Sequence, residues 1–157
     1  MTAFAKLVEV LITGKVDFVL IGGVALVARG GARVTQDLDL VYARDAANLD
    51  RLVAAIQPLH PRLRGAPPEL PFLFDARTLK SGMNFTLVTD AGELDLLGEV
   101  TGLGGYSSAL PVSSELTLFG HSVRVLDLDG LERTKRAAGR AKDLLDLEMI
   151  AKLRRDK

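Results

Sequence analysis

Residues 18–42 read FVLIGGVALVARGGARVTQDLDLVY. An apolar, β-branched run ends in Gly22-Gly23, and a short apolar segment closes on Gly30-Gly31. Asp37 and Asp39 then alternate with Leu38 and Leu40 in a stretch that otherwise suits a buried strand. Aspartate is a poor strand former, and an unpartnered buried carboxylate is costly. Side chains two apart on a strand share a face, with Cα atoms about 6.5–7 Å apart. The two acids therefore project together while the leucines turn to the core. Two close carboxylates repel unless a cation sits between them. An all-oxygen donor set suits Mg²⁺ or Mn²⁺ rather than zinc, and Mg²⁺ on one or two carboxylates completes its shell with water and substrate phosphates. At a strand-to-helix junction, glycine lets the backbone approach a ligand, and free N–H groups point at an anion. The pattern predicts a phosphate chain gripped at Gly22-Gly23 and, through a metal, at Asp37 and Asp39.

The flanking sequence predicts an α+β domain, a mixed β-sheet with helices packed against it. Thr2 is placed to cap a first helix whose apolar positions are Phe4, Leu7, Val8, Leu11 and Ile12, with Gly14 ending it. Strands follow at 16–21 and 37–42, separated by a short helix. Residues 44–57 read as a helix with Leu49, Leu52, Val53 and Ile56 on one face. Residues 57–71 hold most of the prolines and read as a loop, a candidate lid or substrate-contacting segment. A hairpin is expected over 84–97, turning at 90–92, and a second over 115–128, turning near Gly120. Asp129 with Glu132 predicts a capping box for a helix at about 130–138. Gly139 breaks that helix, and a last one runs over about 141–154. The reading is a single domain over 1–157, with a catalytic core at 1–126 and C-terminal helices at 127–157.

With 157 residues, 48% of them hydrophobic, the chain has material for one core. Twenty Lys and Arg balance 20 Asp and Glu, which argues against a protein that coats long nucleic acid. Cysteine is absent, so disulfides and thiolate metal sites are excluded. The amphipathic N-terminus carries Lys6 and Glu9 and is not a secretory signal, and no apolar run reaches the roughly 18 residues of a membrane span. The expectation is a cytoplasmic protein that does not enter the membrane. His60 and His121 lack a second ligand at useful spacing and read as surface residues. GLGG at 102–105 lacks a strand and helix around it and reads as a turn.

A third carboxylate is expected, and GELDLLG at 92–98 offers one. Asp95 stands between leucines, as Asp39 does, with Glu93 a competing ligand on the same face. Three carboxylates around two metals suit in-line phosphoryl or nucleotidyl transfer, with one ion acidifying the attacking hydroxyl and the other neutralising the phosphates. Asp95 would ligate the ion beside the nucleophile and accept its proton.

This combination, GG…TQDLDL…GELDLL, resembles the nucleotidyltransferase superfamily of the polymerase-β type. Thirteen residues separate Gly23 from Asp37. The tail LERTKRAAGRAKDLLDLEMI at 131–150 is similar to that of AbiEii-toxin-like nucleotidyltransferases, which carry a Lys and a later Lys-Asp pair on consecutive helices. The resemblance covers residues 17–43, 84–97 and 127–150. It implies a nucleotidyltransferase fold in which Gly22, Gly23, Asp37, Asp39 and Asp95 bind metal and triphosphate. It also implies that Lys135, Lys142 and Asp143 reach the nucleotide. The activity implied is transfer of a nucleoside monophosphate from a nucleoside triphosphate to a hydroxyl. The acceptor would be an RNA end (tRNA in particular), a protein, or an aminoglycoside-like small molecule. The protein would then be the toxin of a toxin–antitoxin system, or else a non-catalytic, antitoxin-type partner, and an oligomer is plausible. Residues 130–157 hold nine Lys and Arg against five Asp and Glu, so Arg136 and Arg140 offer further phosphate contacts. Tyr42, Phe72, Phe74 and Phe85 are candidates to stack on a base.

Overall fold

The computed structural model describes residues 3–67 and 69–156. The chain runs α1 (Ala3–Thr13), β1 (Phe18–Ile21), α2 (Gly22–Ala28), β2 (Asp37–Tyr42), α3 (Ala46–Ile56), β3 (Arg62–Leu63) and α4 (Ala76–Ser81). It continues through β4 (Asn84–Thr89), β5 (Gly92–Leu97), α5 (Tyr106–Ala109), β6 (Ser113–Leu118), β7 (His121–Leu126), α6 (Leu128–Ala138) and α7 (Ala141–Arg155). Single 3₁₀ turns occupy Gln57–Leu59 and Leu110–Val112.

All seven strands join one mixed sheet in the order β3-β4-β5-β2-β1-β7-β6. Two parallel pairings, β2 with β5 and β1 with β7, sit among antiparallel ones. The central strands are the most apolar: every residue of β1 is buried, as are Leu38, Leu40, Val41 and Tyr42 of β2. Leu7, Val8 and Leu11 of α1 and Leu49, Leu52 and Ile56 of α3 share that core. Burying such side chains is worth about 1.5–3 kcal/mol each, which is what holds the helices on the sheet. Among the described residues, no helix is long and apolar enough to cross a membrane.

The predicted mixed sheet with packed helices is the observed architecture, and the expected boundaries of β2, β4 and both C-terminal helices lie within a few residues of those found. Thr2, read as the cap of α1, lies outside the described residues. Several expectations need correction. The Pro-rich segment is not all loop. It contains the 3₁₀ turn and β3, and the Arg64 N–H continues the ladder by donating to the Thr86 carbonyl at 2.9 Å. Helix α4 went unpredicted because it buries only Leu79. Asp75 starts it by accepting from the Thr78 N–H at 2.8 Å. The cap of α6 is Asp127, which accepts from the Gly130 N–H at 2.8 Å; Asp129 instead lies in the first turn and pairs with Arg154. One buried polar residue ties the front of the fold together. The Asn48 side chain accepts from the Asp17 N–H at 2.7 Å and donates to the carbonyls of Asp17 and Ala43.

Candidate active site

The registers of β2, β4 and β5 align acids that lie far apart in sequence. Asp39 pairs with Ile21 of β1 on one side and Asp95 of β5 on the other, and Asp95 pairs with Thr86 of β4. Arg64 ends this row through its bond to Thr86. A second row on the same face runs Asp37, Glu93, Val88, Arg62. Directly opposed or diagonal side chains on one face lie within reach of each other. Asp37, Asp39 and Asp95 accordingly bring one oxygen each to within 4.8 Å of one another.

Three carboxylates so close raise the cost of ionising the central one. Burial first, then the charges of Asp37 and Asp95, push the Asp39 carboxyl up to about 8. Burial also raises Asp95, while its contact with Arg64 opposes the shift. Asp39 Oδ1 is buried and, among the described residues, has no hydrogen-bond partner. An orphaned carboxylate oxygen in an all-oxygen, acid-rich cluster is what a hard divalent cation would satisfy. The residues present therefore fit such an ion, with Asp37, Asp39 and Asp95 as its donors.

Gly22 protects this arrangement. Its φ is +71°, a region that L side chains rarely adopt, and a Cβ there would collide with the Asp39 carboxylate. At Gly23 a Cβ would come within 2.9 Å of the Thr35 hydroxyl. The junction is thus built without side chains directly beside the acids.

The opposite wall is cationic. α6 and α7 meet there around two buried acids on the inward stripe of α7, Asp143 and Asp146. Lys135 Nζ lies 3.0 Å from Asp146 and 3.5 Å from Asp143. Arg140 Nε donates to Asp143 at 2.7 Å, and Arg33, from the segment before β2, pairs with Asp146. Three cations around two carboxylates leave one positive charge in excess. The Arg140 hydrogen bonds, with Lys135 beside them, hold the Asp143 carboxyl down at about 2. Between this wall and the triad lies a cleft of about 550 Å³, lined by Ile21, Gly22, Asp39, Asp95, Lys135 and Arg140 among others.

Most of the residues singled out in the sequence meet at this cleft. Gly22, Asp39, Asp95, Lys135, Arg140 and Asp143 line it, and Asp37 completes the triad beside it. Gly23 is buried in the first turn of α2. Lys142 is not among them: it is exposed and does not line the cleft, because the stripe 143, 146, 150 faces inward and residue 142 falls outside it. Arg136 is exposed and paired with Glu132 at 3.0 Å. Tyr42 and Phe74 are buried, with the Tyr42 hydroxyl donating to the Met83 carbonyl, so neither is free to stack on a base. Sequence reasoning missed Arg33, Asp146, Thr35 and Arg64. Asp146 carried a signal in its i+3 spacing from Asp143. Arg64 carried none, since only the β3–β4 register brings its guanidinium to Asp95, at 2.7 Å.

No protein-family model matches the chain, and no curated protein matches it. Solved structures do. ANT(2")-Ia, solved in complex with adenylyl-2"-tobramycin, superposes with a TM-score of 0.62 at 16% identity, covering 95% of this chain and 86% of that one. The lincosamide antibiotic adenylyltransferase LnuA, with lincomycin bound, gives 0.63 at 12% identity and 96% coverage of both chains. A Thermotoga maritima protein assigned as a nucleotidyltransferase gives 0.60 at 14% identity, covering 92% and 88%. The fold is that of nucleotidyltransferases.

Proposed function

We propose that this chain is a divalent-metal-dependent nucleotidyltransferase that moves a nucleoside monophosphate from a nucleoside triphosphate to a hydroxyl acceptor. The observation that carries this reading is the triad of Asp37, Asp39 and Asp95 facing a net-cationic wall across one cleft. Asp37, Asp39 and Asp95 would hold Mg²⁺ or Mn²⁺. Bound there, the ion would supply Lewis-acid stabilisation of the phosphates and of the attacking oxygen. Gly22 and Gly23 would let the triphosphate approach the backbone. Lys135 and Arg140 would face its negative charge, and Asp143 would hold both cations in place. Residues 1–126 would form the catalytic core, with 127–157 supplying the opposing wall.

The reaction balances simply. The acceptor oxygen forms a bond to the α-phosphorus as the α–β bridging P–O bond breaks, and pyrophosphate leaves with that oxygen. Asp95, at the edge of the triad, takes the hydroxyl proton and returns it to water.

For the acceptor, the neighbours favour a small molecule, since one structure holds an adenylylated tobramycin and another lincomycin. An RNA end, with a toxin role in a toxin–antitoxin pair, rests on the AbiEii-like tail and its basic excess. Against it, Arg136 and Arg154, the cations outside the cleft, are engaged in ion pairs with Glu132 and Asp129. The test is calorimetric titration of the four ribonucleoside triphosphates, with Mg²⁺, into wild type and the Asp37→Ala/Asp39→Ala variant. Binding that needs both metal and aspartates supports the reading; no binding of any triphosphate to wild type refutes it.

A further inference from the structure

Arg64 sits on the triad's face of the sheet, at the β3 end of the row that runs through Thr86 and Asp95 to Asp39. Its guanidinium reaches past the exposed Thr86 to the acid. Nη2 donates to Asp95 Oδ1 at 2.7 Å and to the Leu87 carbonyl at 3.0 Å. Nε faces Glu93 at 3.7 Å. The nucleotidyl-transfer reading gives this cation no task so far, since Lys135 and Arg140 already face the triphosphate from the opposite wall.

Its surroundings fix it there. Nη2 carries two hydrogens and has two acceptors, one of them a backbone carbonyl of β4 that cannot move without the sheet. The Arg64 N–H is tied to the same strand through the Thr86 carbonyl at 2.9 Å. The Arg64 side chain is 28% exposed and that of Asp95 18%. A charge-assisted bond between largely buried partners is stronger than one in open water. A guanidinium cannot shed its proton, so the positive charge on Asp95 is permanent.

We propose that Arg64 stands where a second metal ion would stand, so that the triad holds one divalent cation rather than two. The inference rests on the nucleotidyl-transfer reading, for which two ions about 3.5–4 Å apart are the alternative. An ion seated on Asp37 and Asp39, at the orphaned Asp39 Oδ1, leaves Asp95 as the carboxylate that would bring a second. Oδ1 of Asp95 is taken by the guanidinium. A dication on the other oxygen of that carboxylate would lie close to a fixed positive charge, where solvent screening is weak. The sum of charges agrees. Asp37, Asp39, Asp95 and Glu93 share this face, and Arg64 with one divalent ion nearly neutralises them. A second ion would leave the cluster positive, opposite a wall that is already cationic. Arg64 is thus a positioning residue. It holds Asp95 by one oxygen, leaves the other for the bound ion or the acceptor's proton, and supplies positive charge on the acceptor side without a coordination shell to fill.

The test counts Mn²⁺, added alone, on the full chain by electron paramagnetic resonance. The proteins are wild type, Arg64→Gln, Arg64→Lys and Asp37→Ala/Asp39→Ala, the last of which measures binding elsewhere on the surface and is subtracted. Wild type should bind one Mn²⁺ per chain, with the spectrum of an isolated ion. Arg64→Gln should bind two, the second at least about tenfold more tightly than wild type binds any second ion. Two ions about 3.5–4 Å apart give an exchange-coupled spectrum, which the loss of a merely structural contact would not create. Arg64→Lys keeps the charge and should stay at one. The inference is overturned if wild type or Arg64→Lys binds a coupled pair, if wild type binds none, or if Arg64→Gln stops at one ion. Should Arg64→Gln fail to fold, the wild-type count still decides: a coupled pair overturns the inference and a single ion upholds it. The Mg²⁺–triphosphate titration separates the readings. Triphosphate binding to a wild type that takes a coupled pair, or no Mn²⁺ alone, sinks the single-ion inference by itself; neither Mn²⁺ nor triphosphate on wild type sinks both.

Discussion

Replacing Asp39 with asparagine should stabilise the protein in the absence of metal while removing its response to Mg²⁺. Asp39 is the central acid of the triad, with Asp37 two residues away on its own strand and Asp95 opposite it on β5. Its carboxyl is pushed up to about 8. In the unfolded chain the same group titrates near 3.9, as an ordinary aspartate does. The folded state therefore holds a proton at pH 7 that the unfolded state has lost, and stability falls as pH rises from about 4 to about 8. Each unit is worth about 1.4 kcal/mol, so the penalty at pH 7 is bounded at about 4 kcal/mol. Water in the open cleft screens it, and an expectation of about 1–2 kcal/mol follows. For a chain of this size that is about 3–6 °C in melting temperature. The assay is thermal unfolding followed by circular dichroism, from pH 5 to 8, in EDTA and in Mg²⁺. In EDTA at pH 7 the variant should melt above wild type, with a flatter pH dependence. Mg²⁺ should raise the wild-type midpoint by mass action and leave the variant nearly unmoved. A variant that melts below wild type in EDTA, or that gains as much from Mg²⁺, would refute the reasoning.

Three further outcomes are expected. Gly22→Ala places a methyl against the Asp39 carboxylate at a left-handed backbone position, so it should cost about 1–3 kcal/mol in urea unfolding and weaken Mg²⁺–triphosphate binding. Asp143→Asn removes a buried partner of Lys135 and Arg140 and should cost about 3 kcal/mol at pH 7. Because the Asp143 carboxyl is held down at about 2, its contribution is present above pH about 4 and fades toward pH 2, so the gap to wild type should close in acid unfolding. Lys142→Ala should change stability by less than about 0.5 kcal/mol and leave triphosphate affinity unaltered, whereas Lys135→Ala should lower both; equal effects in calorimetry would contradict the observed orientation of α7.

The architecture expected from hydrophobic pattern was largely the one found, and the physical reason is locality. Strand β2 announces itself because its period of two is written within six residues, and that same period puts Asp37 and Asp39 on one face whatever surrounds them. Gly22 is legible for a similar reason, since a strand running straight into a helix needs an unusual backbone angle at the junction. Short elements such as α4 and β3 were not legible, because two to six residues carry too little periodicity to stand out from a Pro-rich connection.

What the sequence by itself determined was therefore the class of sheet, the facing of the acid pairs and the turn beside them. Only the tertiary structure decided that Asp39 stands opposite Asp95, that Arg64 reaches the same carboxylate from β3, and that Asp143 serves as a buried brace while Lys142 points to solvent. Register depends on how whole strands bury their leucines against one another. An ion-pair cluster such as Arg33, Lys135, Arg140, Asp143 and Asp146 depends on three segments arriving together. Neither is encoded in any run of neighbouring residues, so both appear only when the core that aligns them has formed.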